Sequence, residues 1–170
     1  MNLLIVRHGK AEDQSEFGRT GKADHLRPLT PEGKREMKTI AKAVSGLVNR
    51  PALLATSPYT RAVQTAEALS KAIGIKWTEI EELTPEKSPI QFAKWLTSKK
   101  RKRNDTVVIV GHEPHLSTLA SWAISGPGRS FLELKKGGAC FIEFSGTVKE
   151  GSGLLRWLAT PNMLRNIGNS

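Results

Sequence analysis

A histidine flanked by an arginine and a glycine follows the first apolar run of the sequence. The run, Asn2–Val6, is short and β-branched toward its end, as expected of a buried strand, and Arg7, His8 and Gly9 come directly after it. An imidazole can attack phosphorus, an arginine fork can hold two phosphoryl oxygens, and a glycine lets backbone N–H groups approach an anion. The triplet favours phosphoryl chemistry, although alone it also fits a loop histidine satisfied by hydrogen bonds.

Arg61 and His112 add to this chemistry from two other places in the chain. Arg61 belongs to the segment Ser57–Ala66 and falls in the first turn of a predicted helix. A cation is disfavoured there unless an anion shares the site, so the position hints at a phosphate pocket; an arginine lying along the surface is the alternative. His112 stands at a strand-to-helix turn. No acidic pair or Cys/His cluster has the spacing of metal ligands, so neither a metal nor another cofactor is expected.

Strand and helix signals alternate along the chain and set the positions of these residues. Thr30 as N-cap and Pro31 at the first helical position begin a helix that ends near Asn49. Polar residues fill Lys10–Leu29, which predicts a long surface loop. Thr106–Val110 is the clearest strand, and its apolar run indicates burial on both faces. Further predicted strands are Ala52–Ala55, Ile75–Ile80, Phe131–Leu134, Ala139–Phe144 and Leu154–Ala159, and further helices follow Pro58, Ser88 and Pro114.

This alternation predicts an α/β fold, a three-layer sandwich with a mainly parallel central sheet and antiparallel strands toward the C-terminus. A chain of 170 residues suits one domain, spanning 1–170. In such sheets ligands bind outside the carboxyl ends of the strands. The Arg7 triplet, the Ser57 segment and His112 all follow strands, so the sequence places them at one edge of the sheet.

These segments, taken in order, resemble the histidine phosphatase superfamily, also called phosphoglycerate mutase-like. The likeness is greatest to the bacterial SixA-type phosphohistidine phosphatases and extends from Asn2 to about Thr160. The motifs that carry it, besides the Arg7-His8-Gly9 triplet, are Arg27–Gly33, Ser57–Ala66, Glu82–Pro85 and Gly111–Pro114. Several motifs in the same order are far more specific than any one of them.

The resemblance implies a role for each matching residue. His8 is expected to be the nucleophile that becomes phosphorylated, Arg7 and Arg61 to bind the phosphoryl oxygens, and His112 to donate a hydrogen bond to them. Arg27, Gly9 and Ser57 are expected to line or support the substrate pocket. Phosphoryl transfer runs through a loose transition state with charge on the equatorial oxygens, so this set of cations suits it.

The general acid is where the sequence departs from the wider superfamily. Glu82, with Glu81 beside it, matches only by position, and both also fit solvated carboxylates at a strand end. A phosphohistidine substrate relaxes the need for an acid, because a protonated imidazole leaves easily. We therefore expect a phosphorylated protein as partner. The alternatives are a small phosphate ester as substrate, or a non-catalytic module that binds phosphate or nucleic acid.

Composition bears on the possible partners of the protein and on its expected location. The net charge of +10 and the pI near 10.0 suit an anionic partner but do not choose one. The basic run Lys99–Arg103 and the polar segment Lys10–Leu26 have no assigned role; a solvated connection is preferred over a nucleic-acid patch for the former. The lone Cys140 fits a buried small hydrophobe. No membrane span or secretory signal is found, so we expect a cytoplasmic protein.

Overall fold

The computed structural model describes residues 1–99 and 102–170. Six strands form one sheet in the spatial order β3-β2-β4-β1-β5-β6. The first four in that order run parallel, whereas β5 is antiparallel to β1 and β6 to β5. The predicted α/β class is confirmed. The strands are β1 (Asn2–Arg7), β2 (Leu53–Thr56), β3 (Trp77–Glu79), β4 (Thr106–Gly111), β5 (Ala139–Phe144) and β6 (Gly153–Ala159).

Six α-helices and two 3-10 turns complete the described part of the chain. The 3-10 turns cover Asp24–Leu26 and Glu81–Leu83. The helices are α1 (Gln14–Gly18), α2 (Pro31–Leu47), α3 (Thr60–Ile73), α4 (Pro89–Ser98), α5 (His115–Ser125) and α6 (Pro161–Asn169). Among the described residues, no helix is both long enough and apolar enough to cross a lipid bilayer.

The sheet is covered on both faces because successive side chains of a strand point to opposite sides. In β1, Leu3 and Ile5 belong to the core that also contains Phe92 and Leu116, from α4 and α5. Leu4 and Val6 belong to the opposite core, with residues of α2, α3 and α6 such as Met37, Leu69 and Leu164. All six residues of β4 are buried, which confirms its expected burial on both faces. The result is the three-layer arrangement.

The predicted helix starts are confirmed where a capping side chain was visible in the sequence. Thr30 Oγ1 accepts the backbone N–H of Gly33 at 2.9 Å, with Pro31 in the first turn. Ser88 and Gln91 form a reciprocal capping box at α4. Gly33 also sits against the chain that leaves β1, since a Cβ there would lie 2.1 Å from the Lys10 carbonyl oxygen. The start of α2 is thus held beside the residues that follow His8.

The structure corrects two elements and adds one. Lys10–Leu29 is not a plain loop, because it contains α1, capped by the Asp13 carboxylate, and the first 3-10 turn. Phe131–Leu134 is not a strand, and the backbone N–H of Phe131 donates to Ser121 Oγ rather than to a neighbouring strand. The added element is α6, whose N-cap is Thr160. In the basic run Lys99–Arg103, Lys100 and Arg101 lie outside the described residues.

Candidate active site

The parallel strands deliver the predicted site residues to their shared carboxyl edge. Arg7 is the last residue of β1 and His8 follows it; His112 follows β4, and Arg61 lies in the first turn of α3, which comes after β2. A cavity of about 640 Å³ opens there, and Arg7, His8, Arg61 and His112 line it together with Arg27. Chain segments far apart in sequence thus meet at one cavity. The structure does not place Gly9, Ser57 or Glu82 on its lining.

His8 is held in the tautomer that a nucleophile needs. Its Nδ1 lies 2.7 Å from the carbonyl oxygen of Gly9. Because a carbonyl oxygen only accepts, Nδ1 carries the proton and Nε2 keeps its lone pair. Burial lowers the His8 pKa to about 3, a shift that the Gly9 hydrogen bond opposes and the charges of Arg61 and Arg7 reinforce. His8 is therefore neutral at physiological pH.

His112 is the second buried imidazole of the cavity. Its Nε2 lies 2.8 Å from Ser57 Oγ, which also accepts the backbone N–H of Tyr59 at 3.3 Å. If the serine hydroxyl donates to Nε2, the neutral ring carries its proton on Nδ1. Burial, followed by the nearby His8, lowers the His112 pKa to about 2. Ser57 acts on the cavity through His112 and does not line it.

Arg7 and Arg61 supply buried positive charge from two different elements. Arg7 Nη1 donates to the Leu134 carbonyl at 2.6 Å. Arg61 is 5% exposed, and its guanidinium lies 5.0 Å from the centre of the Tyr59 ring. Burial lowers the pKa of each arginine, yet a guanidinium stays charged in proteins. The first turn of α3 contains no acidic residue.

Three buried nitrogens of these side chains lack a hydrogen-bond partner within the described residues. They are Arg7 Nε, Arg61 Nε and His112 Nδ1. A buried donor without an acceptor costs roughly 1–3 kcal/mol, and a charged one more. All three belong to residues that line one cavity, so an anion bound there would supply the missing acceptors. No group of three or more potential metal-ligating side chains occurs among the described residues.

Asp24 is a cavity residue that the sequence analysis missed. Its Oδ1 accepts from Arg27 Nε at 2.8 Å, and its Oδ2 lies 3.1 Å from Arg61 Nη2. The Asp24 carbonyl oxygen accepts from Arg61 Nη1 at 3.0 Å. Burial would raise the Asp24 pKa, but the Arg27 hydrogen bond and the two guanidinium charges together lower it. The only signal was the spacing from Asp24 to Arg27, which has meaning once the intervening 3-10 turn is known.

Glu113 lines the cavity, whereas Glu82 does not. Glu82 is partly buried in the second 3-10 turn, away from the cavity lining. Glu113 lines the cavity and accepts a 2.5 Å hydrogen bond from Ser117 Oγ. Burial raises the Glu113 pKa, which the Ser117 hydrogen bond and the Arg7 charge partly offset. The sequence motif Gly111–Pro114 contained this residue without indicating its position.

Gly9 has a different reason for being glycine than the sequence suggested. Its backbone N–H does not face the cavity, because it donates to Thr65 Oγ1 at 3.1 Å. A Cβ at this position would lie 2.5 Å from Met37 Cγ. The absence of a side chain lets the His8 turn pack against α2, and Gly9 supports the site by packing.

Comparisons with known proteins show which proteins this chain is similar to. Residues 3–85 match the family model described as histidine phosphatase superfamily (branch 1). An uncharacterized protein of Picosynechococcus sp. strain PCC 7002 is 34% identical over 139 residues, which cover 81% of this chain and 82% of that protein. Among solved structures, the protein histidine phosphatase SixA complexed with tungstate has a TM-score of 0.78 at 23% identity, covering 95% of this chain and 98% of that one. Phosphoserine phosphatase of Entamoeba histolytica, in complex with 3-phosphoglyceric acid, has a TM-score of 0.68 at 18% identity, with 96% and 98% covered.

Proposed function

This chain belongs to the histidine phosphatase superfamily, and on that basis we propose that it is a phosphatase that works through a phosphohistidine formed on His8. The proposal rests above all on the His8 tautomer. With its proton fixed on Nδ1 by the Gly9 carbonyl, the ring has a free lone pair on Nε2 beside two arginines and His112. A neutral imidazole with a free nitrogen is ready to form an N–P bond without first losing a proton.

The reaction divides into two balanced displacements. In the first, Nε2 of His8 forms a bond to phosphorus while the bond from phosphorus to the leaving group breaks, and the leaving group departs with the electron pair and takes up a proton. In the second, water attacks the phosphorus of phosphohistidine, loses a proton and releases inorganic phosphate with neutral His8. Arg7, Arg61 and the Nδ1–H of His112 stabilise the charge on the equatorial oxygens in both steps. Arg27 adds positive charge at the cavity wall.

We propose a phosphohistidine on a protein as the substrate. The imidazole of the substrate can carry a proton on the nitrogen that is not bonded to phosphorus, so it leaves as a neutral ring and needs no strong acid. This suits a chain in which Glu82, the carboxylate matched by motif, does not line the cavity. The cavity is bounded by charged and polar side chains, with few apolar surfaces to grip a small organic group. When the phosphohistidine is part of a protein, the surrounding surface of that protein can supply binding contacts, so the cavity itself needs to supply fewer.

A small phosphate ester is the second candidate, and Glu113 is the observation that favours it. Burial raises the pKa of the Glu113 carboxyl group, and a positioned carboxylic acid with a raised pKa is the kind of group that gives a proton to a departing alkoxide. This candidate predicts turnover of alkyl phosphates that depends on Glu113.

The test compares the two substrate classes on the same purified protein. A protein phosphorylated on histidine and an alkyl phosphate are offered separately, and acid-labile, alkali-stable phosphoryl groups on the enzyme are measured after rapid quenching. We expect faster turnover of the phosphohistidine protein and a phosphoryl group that disappears in His8→Ala. Full activity of His8→Ala would refute the covalent mechanism, and faster turnover of the alkyl phosphate would refute the substrate assignment.

A further inference from the structure

Asp24 already contacts both terminal nitrogens of Arg61, a pair through which a guanidinium can bind a phosphoryl group. Arg61 Nη1 donates to the Asp24 carbonyl oxygen, and Nη2 pairs with its carboxylate at 3.1 Å. The Nε of Arg61 is the nitrogen left without a partner within the described residues. An arginine binds phosphate most strongly through two parallel N–H donors. A phosphoryl group that binds through both terminal nitrogens of Arg61 would therefore compete with Asp24 for their N–H groups.

Arg27 is held by the same carboxylate. Its Nε donates to Asp24 Oδ1 at 2.8 Å, and its Nη1 donates to the Glu12 carbonyl at 2.7 Å. The Arg27 and Arg61 side chains are only 11% and 6% exposed, whereas that of Asp24 is 40% exposed. Asp24 is the partner of the three that can turn toward water while the two guanidinium groups remain enclosed.

We propose that Asp24 is a resident counter-ion of the phosphoryl site, which occupies Arg27 and Arg61 in the free enzyme and weakens the binding of phosphate in competition with it. This inference rests on the proposed function, which places the phosphoryl group beside these arginines. The Asp24 carboxylate reduces the repulsion between the positive charges of Arg27 and Arg61, which little water would otherwise screen. It also lowers the affinity for the phosphate product, so the site is not blocked by free phosphate.

The test measures the affinity for inorganic phosphate by calorimetry, which needs no turnover. Asp24→Asn keeps the size of the side chain and removes its charge, so we expect the dissociation constant to fall by about tenfold or more. Glu12→Gln is the matched control: Glu12 also lines the cavity, and its carboxylate forms no ion pair with an arginine among the described residues. In Glu12→Gln only the long-range effect of the lost charge remains, so we expect the affinity for phosphate to change by less than about threefold. Weaker binding in Asp24→Asn, or an equal gain in both variants, would overturn the proposal.

A second measurement on the wild-type protein does not depend on a variant that folds. In a crystal structure with tungstate bound beside His8, the Asp24 carboxylate should have left at least one arginine. Both ion pairs intact at their present lengths, with the oxyanion seated, would overturn the proposal. If the chain turned over no phosphorylated substrate at all, the phosphatase proposal would fail while both binding measurements remained valid.

Discussion

The imidazole rings of His8 and His112 lie 5.0 Å apart between their centroids, and both are buried at the carboxyl edge of the sheet. Protonating either ring places a cation beside Arg7 and Arg61, in a region with little water. The pair is therefore neutral in the folded protein well below the pH at which free histidine takes up a proton. The proposed nucleophilic attack by His8 requires this neutrality, which should also affect stability measurably.

Stability should fall on mild acidification because of these histidines. The His8 pKa is about 3 in the folded protein and about 6.5 in the unfolded chain, so between these values the unfolded state binds more protons. The free energy of unfolding decreases as pH falls through this window. From pH 7.5 to 5.5 we expect His8 alone to contribute a loss of about 1.4 kcal/mol. Urea unfolding of wild type and His8→Asn at both pH values isolates the effect as the difference between the two proteins. An equal loss in both would contradict it.

Arg61 should be required for turnover. Arg61→Ala removes a buried charge beside the reacting phosphoryl group, and we expect the rate to fall about a hundredfold or more, as on removal of one oxyanion donor. Arg61→Lys should recover only part of the rate, because an ammonium lacks the planar fork. Arg156, half exposed in an ion pair with Glu143 between β5 and β6, provides the control. If Arg156→Ala lost as much activity as Arg61→Ala, net protein charge would be responsible.

Gly9 should be needed for packing against Met37. In wild type, Gly9→Ala forces a Cβ to within 2.5 Å of Met37 Cγ, and we expect a destabilisation of about 1–3 kcal/mol. In a Met37→Ala background the same change should cost at least about 1 kcal/mol less. Gly46→Ala, at a position in α2 with open space around its Cβ, should stabilise slightly instead. The measurement is the free energy of unfolding of the four proteins in this double-mutant cycle. If Gly9→Ala destabilised the Met37→Ala protein as much as the wild type, the packing explanation would be excluded.

Local signals in the sequence were sufficient to predict the strands and helices that position the site residues. A buried strand before Arg7, an N-cap at Thr30 and a helix after Pro58 are each encoded within a few residues, so His8, Arg61 and His112 could be placed at one edge before any contact was known. Phe131–Leu134 misled because its apolar pattern fits a strand, whereas its backbone is bonded to the side chain of Ser121 in α5, a contact that no local pattern shows. The helix α6 had the same Thr-Pro start as α2 and could have been found from it.

Contacts that join distant segments could not be predicted in this way. Asp24 belongs to a polar stretch without periodicity, and its position between Arg27 and Arg61 depends on how that stretch folds over the cavity. The clash of a residue-9 Cβ with Met37 likewise involves two segments that no local pattern relates. Glu113 stood inside a recognised motif, but its burial depends on packing beside Arg7, Ser117 and Leu134.

Glu82 and Glu113 together distinguish the two substrate classes. With a phosphohistidine substrate, the imidazole can be protonated on the nitrogen that is not bonded to phosphorus and then leaves as a neutral ring, so a positioned acid contributes little and Glu82→Gln should cost less than about tenfold in rate. Glu113→Gln should also have a small effect on this substrate. An alkyl phosphate differs, because its alkoxide has a high pKa and needs a proton donor. If the wild type has activity on an alkyl phosphate, Glu113→Gln should lower it by roughly a hundred- to ten-thousandfold, and Glu82→Gln should not.

Single-turnover rates of both variants on both substrates are the measurement, with an alkyl rather than a nitrophenyl phosphate, since nitrophenolate leaves without help. The contrast between the two glutamates serves as an internal control, because each variant exchanges one carboxylate for an amide of the same size. A large loss for Glu82→Gln on phosphohistidine would show that the acid acts from outside the cavity seen here, and would end the argument that this substrate needs none. A large loss confined to Glu113→Gln and the alkyl ester would instead identify Glu113 as the proton donor, a role that a pKa raised by burial suits.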